Sequence, residues 1–225
     1  MAEAFIIDAV RTAGARKGGR LSGWHPADLA AQVLDAIVER TGIDPAAIED
    51  VIMGCVGQAG EQSNNIARNA VLASKLPESV PATSIDRQCG SSQQALHFAA
   101  QAVMSGSMDI VIAAGVESMT RVPMGLPATL AFKHGFGSYM SPAMQARYPN
   151  IQFSQFAGAE MLAVNYALAR DELDEYALRS HQRASAATHA GHFDAEILKL
   201  QQRTPEGEAT ADVHATDEGI RFDAT

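Results

Sequence analysis

Thr83-Ser84-Ile85-Asp86-Arg87-Gln88-Cys89-Gly90-Ser91-Ser92-Gln93-Gln94-Ala95-Leu96 is the stretch on which the reading of this chain turns. Pro81 to Ile85 reads as a short buried strand and Ser91 to Met104 as a helix, so Cys89 falls on the turn between them. At a helix start the unpaired N–H groups and the helix dipole favour negative charge, and a thiol placed there ionises more readily. A thiolate is the nucleophile that thioester chemistry needs. The small neighbours Gly90, Ser91 and Ser92 let a substrate carbonyl come close. A buried structural cysteine is the competing reading of the same residue.

On either side of this turn, strands and helices alternate. Phe5 to Val10 is an apolar run of strand type, followed by an Arg- and Gly-rich loop from Arg11 to Trp24. Pro26 suits a first helical turn, Leu29, Val33 and Ile37 form an apolar stripe with Ala30 and Leu34 beside it, and Gly42 ends the helix. Asp44-Pro45 resembles a cap and first turn of a brief helical piece. Asp50 to Val56 is a second strand, followed by a polar loop from Gly57 to Asn64 and a helix from Ile66 to Ser74. The helix after Cys89 sets Leu96, Ala99, Ala100 and Val103 on one face and stops at Gly106, and Asp109 to Gly115 is a fourth strand. Strands separated by helices pair in parallel, with helices on both faces of the sheet. The fold class is therefore α/β, and reactive groups gather beyond the carboxyl ends of such strands.

The character changes after Glu117, which places a domain boundary between 1–117, an α/β core, and 118–225, a largely helical loop domain. Ser118 to Gln152 is an excursion rich in Pro, Gly, Met and aromatic residues. Helices follow near Ala159 to Ala169 and from Asp171 to about Ala190, with Gly191 as the stop. Asp171, Glu172, Asp174 and Glu175 are a solvated helix start rather than a metal site. From Gln201 onward the chain reads as polar and irregular.

Composition narrows the function. A net charge of −9 with no basic tract argues against a nucleic-acid or anionic-membrane partner. Cys55 and Cys89 form no CxxC pattern, which disfavours a disulfide framework or a structural zinc site. No stretch approaches the about 18 apolar residues of a membrane span, and the amino terminus lacks a basic region followed by an apolar run, so a cytoplasmic location is expected.

Several segments together resemble the amino-terminal half of the thiolases, acyl-CoA acyltransferases that include acetyl-CoA acetyltransferase and 3-ketoacyl-CoA thiolase. They are Ile7-Asp8-Ala9-Val10-Arg11-Thr12, Gly54-Cys55-Val56 with Asn65-Ile66-Ala67-Arg68, Asp86-Arg87-Gln88-Cys89-Gly90-Ser91, Gly115-Val116-Glu117-Ser118-Met119, and Asp171 to Ala186. Each alone is weak, and their order makes the resemblance specific. It implies a βαβαβαβ half-core carrying a loop domain that binds coenzyme A. It also implies that Cys89 is the nucleophile, that coenzyme A and acyl-CoA are the ligands with no further cofactor, and that the full-length protein is a homodimer or homotetramer.

Further residues follow from the same resemblance. Arg221, in Asp217-Glu218-Gly219-Ile220-Arg221, matches a family arginine near the nucleotide end of coenzyme A, where a guanidinium suits a phosphate or adenine. Ser154-Gln155-Phe156-Ala157-Gly158-Ala159-Glu160 matches a loop-domain segment in which Gln155-Phe156 replaces the family's Met-Gly, a change that reshapes the acyl pocket. Met119 and Met124 are candidates for lining that pocket, with ordinary packing as the alternative. The replacement, with the Gln-Cys-Gly-Ser-Ser-Gln-Gln pattern, points toward bulky or ring-derived acyl chains, steroid fragments among them.

The family also uses a histidine in Gly-His-Pro, an asparagine in Asn-Glu-Ala-Phe and a second cysteine in Cys-x-Gly, and none of these motifs is present. The histidines here are His25, His97, His134, His181, His189, His192 and His214. His25 begins a helix, while His181, His189 and His192 lie on or just past one helix as solvated side chains. Cys55 ends a strand and reads as a packed thiol. Two other functions compete with a thiolase: an inactive half-protein that binds coenzyme A or pairs with another chain, and a ketoacyl-synthase-type condensing enzyme. The long excursion and the motif order favour the thiolase.

Overall fold

The computed structural model describes residues 3–151 and 153–225. Met1 and Ala2, and Gln152 at the end of the excursion read from the sequence, lie outside the described residues. The chain forms two compact units. The first runs to Thr129 and includes Asp194–Glu218, and the second comprises Leu130–Phe193 and Gly219–Thr225. This division differs from the one drawn at 117/118 in the sequence, because residues 118–129 and 194–218 are tied into the first unit. Arg121 pairs with Glu61, and Arg11 pairs with Glu196 and Asp217.

In the first unit, β1 (Arg11–Thr12), α1 (Pro26–Thr41), β2 (Asp50–Gly54), α2 (Ile66–Ala73), β3 (Ala82–Ile85), α3 (Ser91–Ser105) and β4 (Val111–Gly115) follow in order. The order β3-β2-β4 forms a parallel sheet in which Gly54 stands opposite both Ile85 and Gly115. β2 is central, and its alternation divides the core. Val51, Met53 and Cys55 join Ala27, Ala30 and Leu34 of α1 and Ile66, Ala67, Ala70 and Val71 of α2. Ile52 joins Ala95 and Ala99 of α3 on the opposite face. A strand buried on both faces reads as a continuous apolar run, which is why Val51-Ile52-Met53 has no polar residue. The α/β class with helices on both faces is the observed architecture.

Local signals account for the helix ends. His25 Nδ1 accepts the Ala27 N–H at 3.3 Å, Pro26 opens α1, and Gly42 closes it at φ 65°. The buried face of α1 is Pro26, Ala27, Ala30, Ala31 and Leu34, so it is rotated from the stripe of Leu29, Val33 and Ile37 read in the sequence. In α3 the buried face is Ser91, Ala95 and Ala99, and Leu96 is exposed.

Two expectations are corrected. Phe5 to Val10 is not a strand: Phe5 is 74% and Ile7 81% exposed, and pairing begins only at β1. β1 runs parallel to β5 (Ile197–Leu198), with the Arg11 guanidinium donating to Glu196 and Asp217. An apolar run becomes a strand only where a ladder partner satisfies its backbone. The stretch from Gln201 onward is not irregular either, because β6 (Leu200–Arg203) and β7 (Ala209–His214) form an antiparallel hairpin. Trp24 holds it from outside the sheet, donating Nε1–H to Gln201 O at 2.9 Å and stacking under the Arg203 guanidinium at 3.7 Å.

The second unit is helical. α4 (Leu126–Lys133) leads into it, followed by α5 (Pro142–Arg147), α6 (Gln155–Asn165) and α7 (Arg170–His189). The excursion therefore contains two short helices. α6 starts four residues before the expected Ala159, because the Ser154 hydroxyl caps it by accepting the Ala157 N–H. α7 starts as expected, with Glu172 reaching back to the Ala169 N–H at 2.8 Å. Among the described residues no helix is long and apolar enough to cross a membrane.

Candidate active site

Cys89 is exposed and adopts φ 62°, in the left-handed region that a residue with a Cβ enters at a penalty of about 1 kcal/mol or more. Two bonds close its turn. Gly90 N–H donates to Arg87 O at 2.7 Å, and Arg87 N–H donates to Ser91 Oγ at 3.1 Å. Gly90 is the N-cap of α3 and has no side chain to accept a bond, so the first-turn N–H groups keep no side-chain acceptor from the cap. The thiol thus sits beside a helix start suited to negative charge.

Topology places this turn at a particular point. The connection from β2 leads to α2 on one face of the sheet, while the connection from the adjacent β3 leads to α3 on the other. A crevice opens at the carboxyl edge where neighbouring connections part in this way. Two glycines let α3 settle onto that edge. A Cβ on Gly54 would collide with the backbone of Ser91 and Ser92, and one on Gly115 would stand 2.7 Å from Ser92 Cβ. These two were not singled out in the sequence as site residues, although a glycine closing an apolar strand signals close backbone approach.

Glu117 and Gln62 were also missed. The Glu117 carboxylate accepts Val56 N–H at 2.7 Å, Gly57 N–H at 3.1 Å and Gln62 Nε2–H at 3.0 Å. Gln62 is fully buried, and its side chain also donates to Gly57 O at 2.9 Å and accepts Ser118 N–H at 2.6 Å. No periodicity marks such residues, since they act across loops. Cys55 lies beneath them: burial first, then Glu117, pushes its thiol up to about 12, so it stays protonated. This agrees with its reading as a packed thiol. Asp86 follows β3 directly, and burial followed by Glu117 raises its carboxyl above its ordinary value.

The remaining sequence candidates divide between the units. Met124 lies in the first unit and is exposed. Ser154, Gln155 and Arg221 lie in the second, where Ser154 is the cap of α6 and Gln155 its first residue. Arg221 is held against α7 by its backbone N–H, which donates to His181 Nδ1 at 3.3 Å. His189 meets the ring of Phe222 edge-on at 5.5 Å. His189 and His192 are exposed, as expected of solvated side chains, while His181 is half-buried. His214 is fully buried, its Nε2 3.0 Å from Ala13 O. Among the described residues no three His, Cys, Asp or Glu side chains are grouped to hold a metal.

Comparison with known proteins gives this arrangement a family. The family model described as "Thiolase, N-terminal domain" matches residues 4–225. A steroid 3-ketoacyl-CoA thiolase of Mycobacterium tuberculosis is 48% identical over 203 residues, 89% of this chain and 50% of that protein. A 3-ketoacyl-CoA thiolase of Erwinia tasmaniensis is 40% identical over 227 residues, 100% of this chain and 56% of that protein. The crystal structure of the Bacillus anthracis acetyl-CoA acetyltransferase superposes with a TM-score of 0.84 at 32% identity, over 100% of this chain and 57% of that one. The chain spans about half the length of the curated relatives it matches. A parallel sheet with a cysteine turn at its carboxyl edge, and a family match along nearly the whole length, lead to one assignment: the chain belongs to the thiolase family, of which it spans the N-terminal domain.

Proposed function

We propose that the protein is an acyl-CoA acyltransferase in which Cys89 carries the acyl group. The observation supporting this most directly is an exposed thiol at φ 62°, immediately before a helix whose cap has no side chain. The Cys89 thiolate attacks the 3-keto carbon of a 3-ketoacyl-CoA, the bond between C2 and C3 breaks, and the C2 carbanion takes a proton to leave as acetyl-CoA. The thiolate of coenzyme A then attacks the Cys89 thioester, forms an acyl-CoA and returns the cysteine. Thiolate replaces thiolate, so the second step is close to thermoneutral. In reverse, two acetyl-CoA molecules condense to acetoacetyl-CoA. The Cys89 N–H, at the helix start, is the donor expected to meet the thioester oxygen.

In this reading Arg221 contacts the nucleotide end of coenzyme A, while Ser154, Gln155 and Met124 contact the pantetheine or acyl part. The substrates are acyl-CoA thioesters with no other cofactor, the full-length protein is a homodimer or homotetramer, and it works in the cytoplasm. Bulky or ring-derived acyl chains are favoured, with support from the identity to a relative named a steroid 3-ketoacyl-CoA thiolase. The family's Gly-His-Pro histidine has no counterpart in the sequence, so these 225 residues alone are expected to turn over negligibly.

Iodoacetamide labelling at neutral pH, resolved by peptide and run with and without acetoacetyl-CoA, tests the central claim. Cys89 is expected to label faster than a peptide thiol, to be protected by acetoacetyl-CoA, and to acquire an acyl mass. Labelling at peptide-thiol rates without protection overturns the assignment. Thiolysis assays with and without a supplied carboxy-terminal thiolase half test the second claim, which ordinary turnover by the 225 residues alone would sink.

A further inference from the structure

Glu117 is a carboxylate bonded to neutral donors. It collects the N–H groups of Val56 and Gly57 and the side-chain amide of Gln62. Bonds to an ionised acceptor are roughly twice as strong as neutral ones, so the three together form a firm tie. Gly57 is shaped for it, since a Cβ there would stand 2.8 Å from Glu117 Oε1. Gln62 doubles the connection by joining Gly57 O and Ser118 N–H to the same knot.

What the tie joins is specific. Val56 lies two residues beyond Gly54 at the end of β2, and Glu117 two residues beyond Gly115 at the end of β4. Those two glycines are the surface on which Ser91 and Ser92 of α3 rest. If the two strand ends splay, the first turn of α3 moves, and Cys89 moves with it. We propose that Glu117 is a positioning residue of the Cys89 site, binding the carboxyl ends of β2 and β4 into one floor beneath the helix start. The inference rests on Cys89 being the nucleophile and adds to it a residue that does not react.

Glu117→Gln is the sharp test, because it keeps the shape and turns one acceptor oxygen into a donor facing other donors. Peptide-resolved iodoacetamide labelling reads both thiols, with Cys55 as an internal control held protonated mainly by burial. In E117Q, Cys89 is expected to label several-fold more slowly, because the first turn of α3 that seats it is no longer held on the Gly54–Gly115 floor. Cys55 is expected to stay silent. E117D, which keeps the charge but is one methylene short, should fall between E117Q and wild type. An unchanged Cys89 rate in E117Q overturns the proposal, and so does faster labelling of both thiols, which would make Glu117 a general stability residue. If E117Q does not fold, E117D is judged alone: a slower Cys89 with a silent Cys55 supports the proposal, and a wild-type rate overturns it. A wild-type Cys89 no faster than a peptide thiol overturns the underlying nucleophile reading as well. A fast wild type with an equally fast variant overturns this inference alone.

Discussion

The two units of this chain are built on opposite principles. In the first, a parallel sheet is closed by helices on both faces, and Ala31, Val51, Met53, Ala67 and Ala95 are entirely shielded from solvent. In the second, α5 to α7 bury no residue among those described, and Phe136 is 83% exposed. Its helices rely on local chemistry: Ser141 and Ser154 as caps, Glu172 reaching back to Ala169, and the Arg170–Asp174 pair one turn apart. Such interactions are each worth about 1 kcal/mol or less, whereas burying one large apolar side chain is worth roughly 1.5–3 kcal/mol. A core holds Cys89 to a fixed geometry, while the second unit offers apolar surface that its own residues do not cover. Hydrogen exchange should accordingly be slow in β2 and fast in α6.

The largest expected effect strikes at the core-held side of this contrast. Gly54→Ala drives a methyl into the backbone of Ser91 and Ser92, and should cost the first unit about 2–3 kcal/mol while slowing Cys89 labelling. Urea unfolding followed by Trp24 fluorescence measures the first, and a wild-type midpoint would break the close-approach argument. Cys89→Gly should raise the melting temperature, because glycine adopts φ 62° without the roughly 1 kcal/mol that a Cβ incurs. A lower melting temperature would mean the turn is not strained.

Smaller effects sharpen the comparison. The Arg11 hydrogen bond, more than any other contact, holds the Asp217 carboxyl below its ordinary range. A carboxylate with a depressed folded-state value stabilises above its unfolded value, about 3.9, and that contribution disappears as pH falls through the lower folded value. With both side chains partly solvated, about 1 kcal/mol should be lost from the first unit across this acid window, and Asp217→Asn should remove the dependence. Acid titrations of the two proteins that coincide would exclude the pair as its source. Ser154→Ala should weaken α6 by about 1 kcal/mol or less, visible in exchange at its first turn and absent from the urea midpoint of the first unit. A shifted midpoint would mean the two units unfold together.

Much of the fold was legible because its signals are short-range. The apolar strands β2 and β4, the stops at Gly42 and Gly106 and the acidic start of α7 each declare themselves within a few residues. Cys89 was legible for the same reason, because strand, turn and helix start occupy one continuous stretch. Phe5 to Val10 misled because an apolar alternation specifies a strand face but not a partner. The β6–β7 hairpin was hidden because it carries one buried apolar residue, Leu200, and depends on Trp24 far earlier in the chain.

The sequence by itself determined the α/β class, the helix stops at Gly42 and Gly106, and the position of a thiol before a helix. The tertiary structure alone decided which run became a strand and which glycines serve as the floor of α3. It also decided which carboxylate binds that floor together, for Glu117 meets Val56 across 61 residues of chain. Periodicity and capping act over one or two turns, whereas a ladder partner, a close approach or a loop-to-loop carboxylate exists only once distant segments have been brought together.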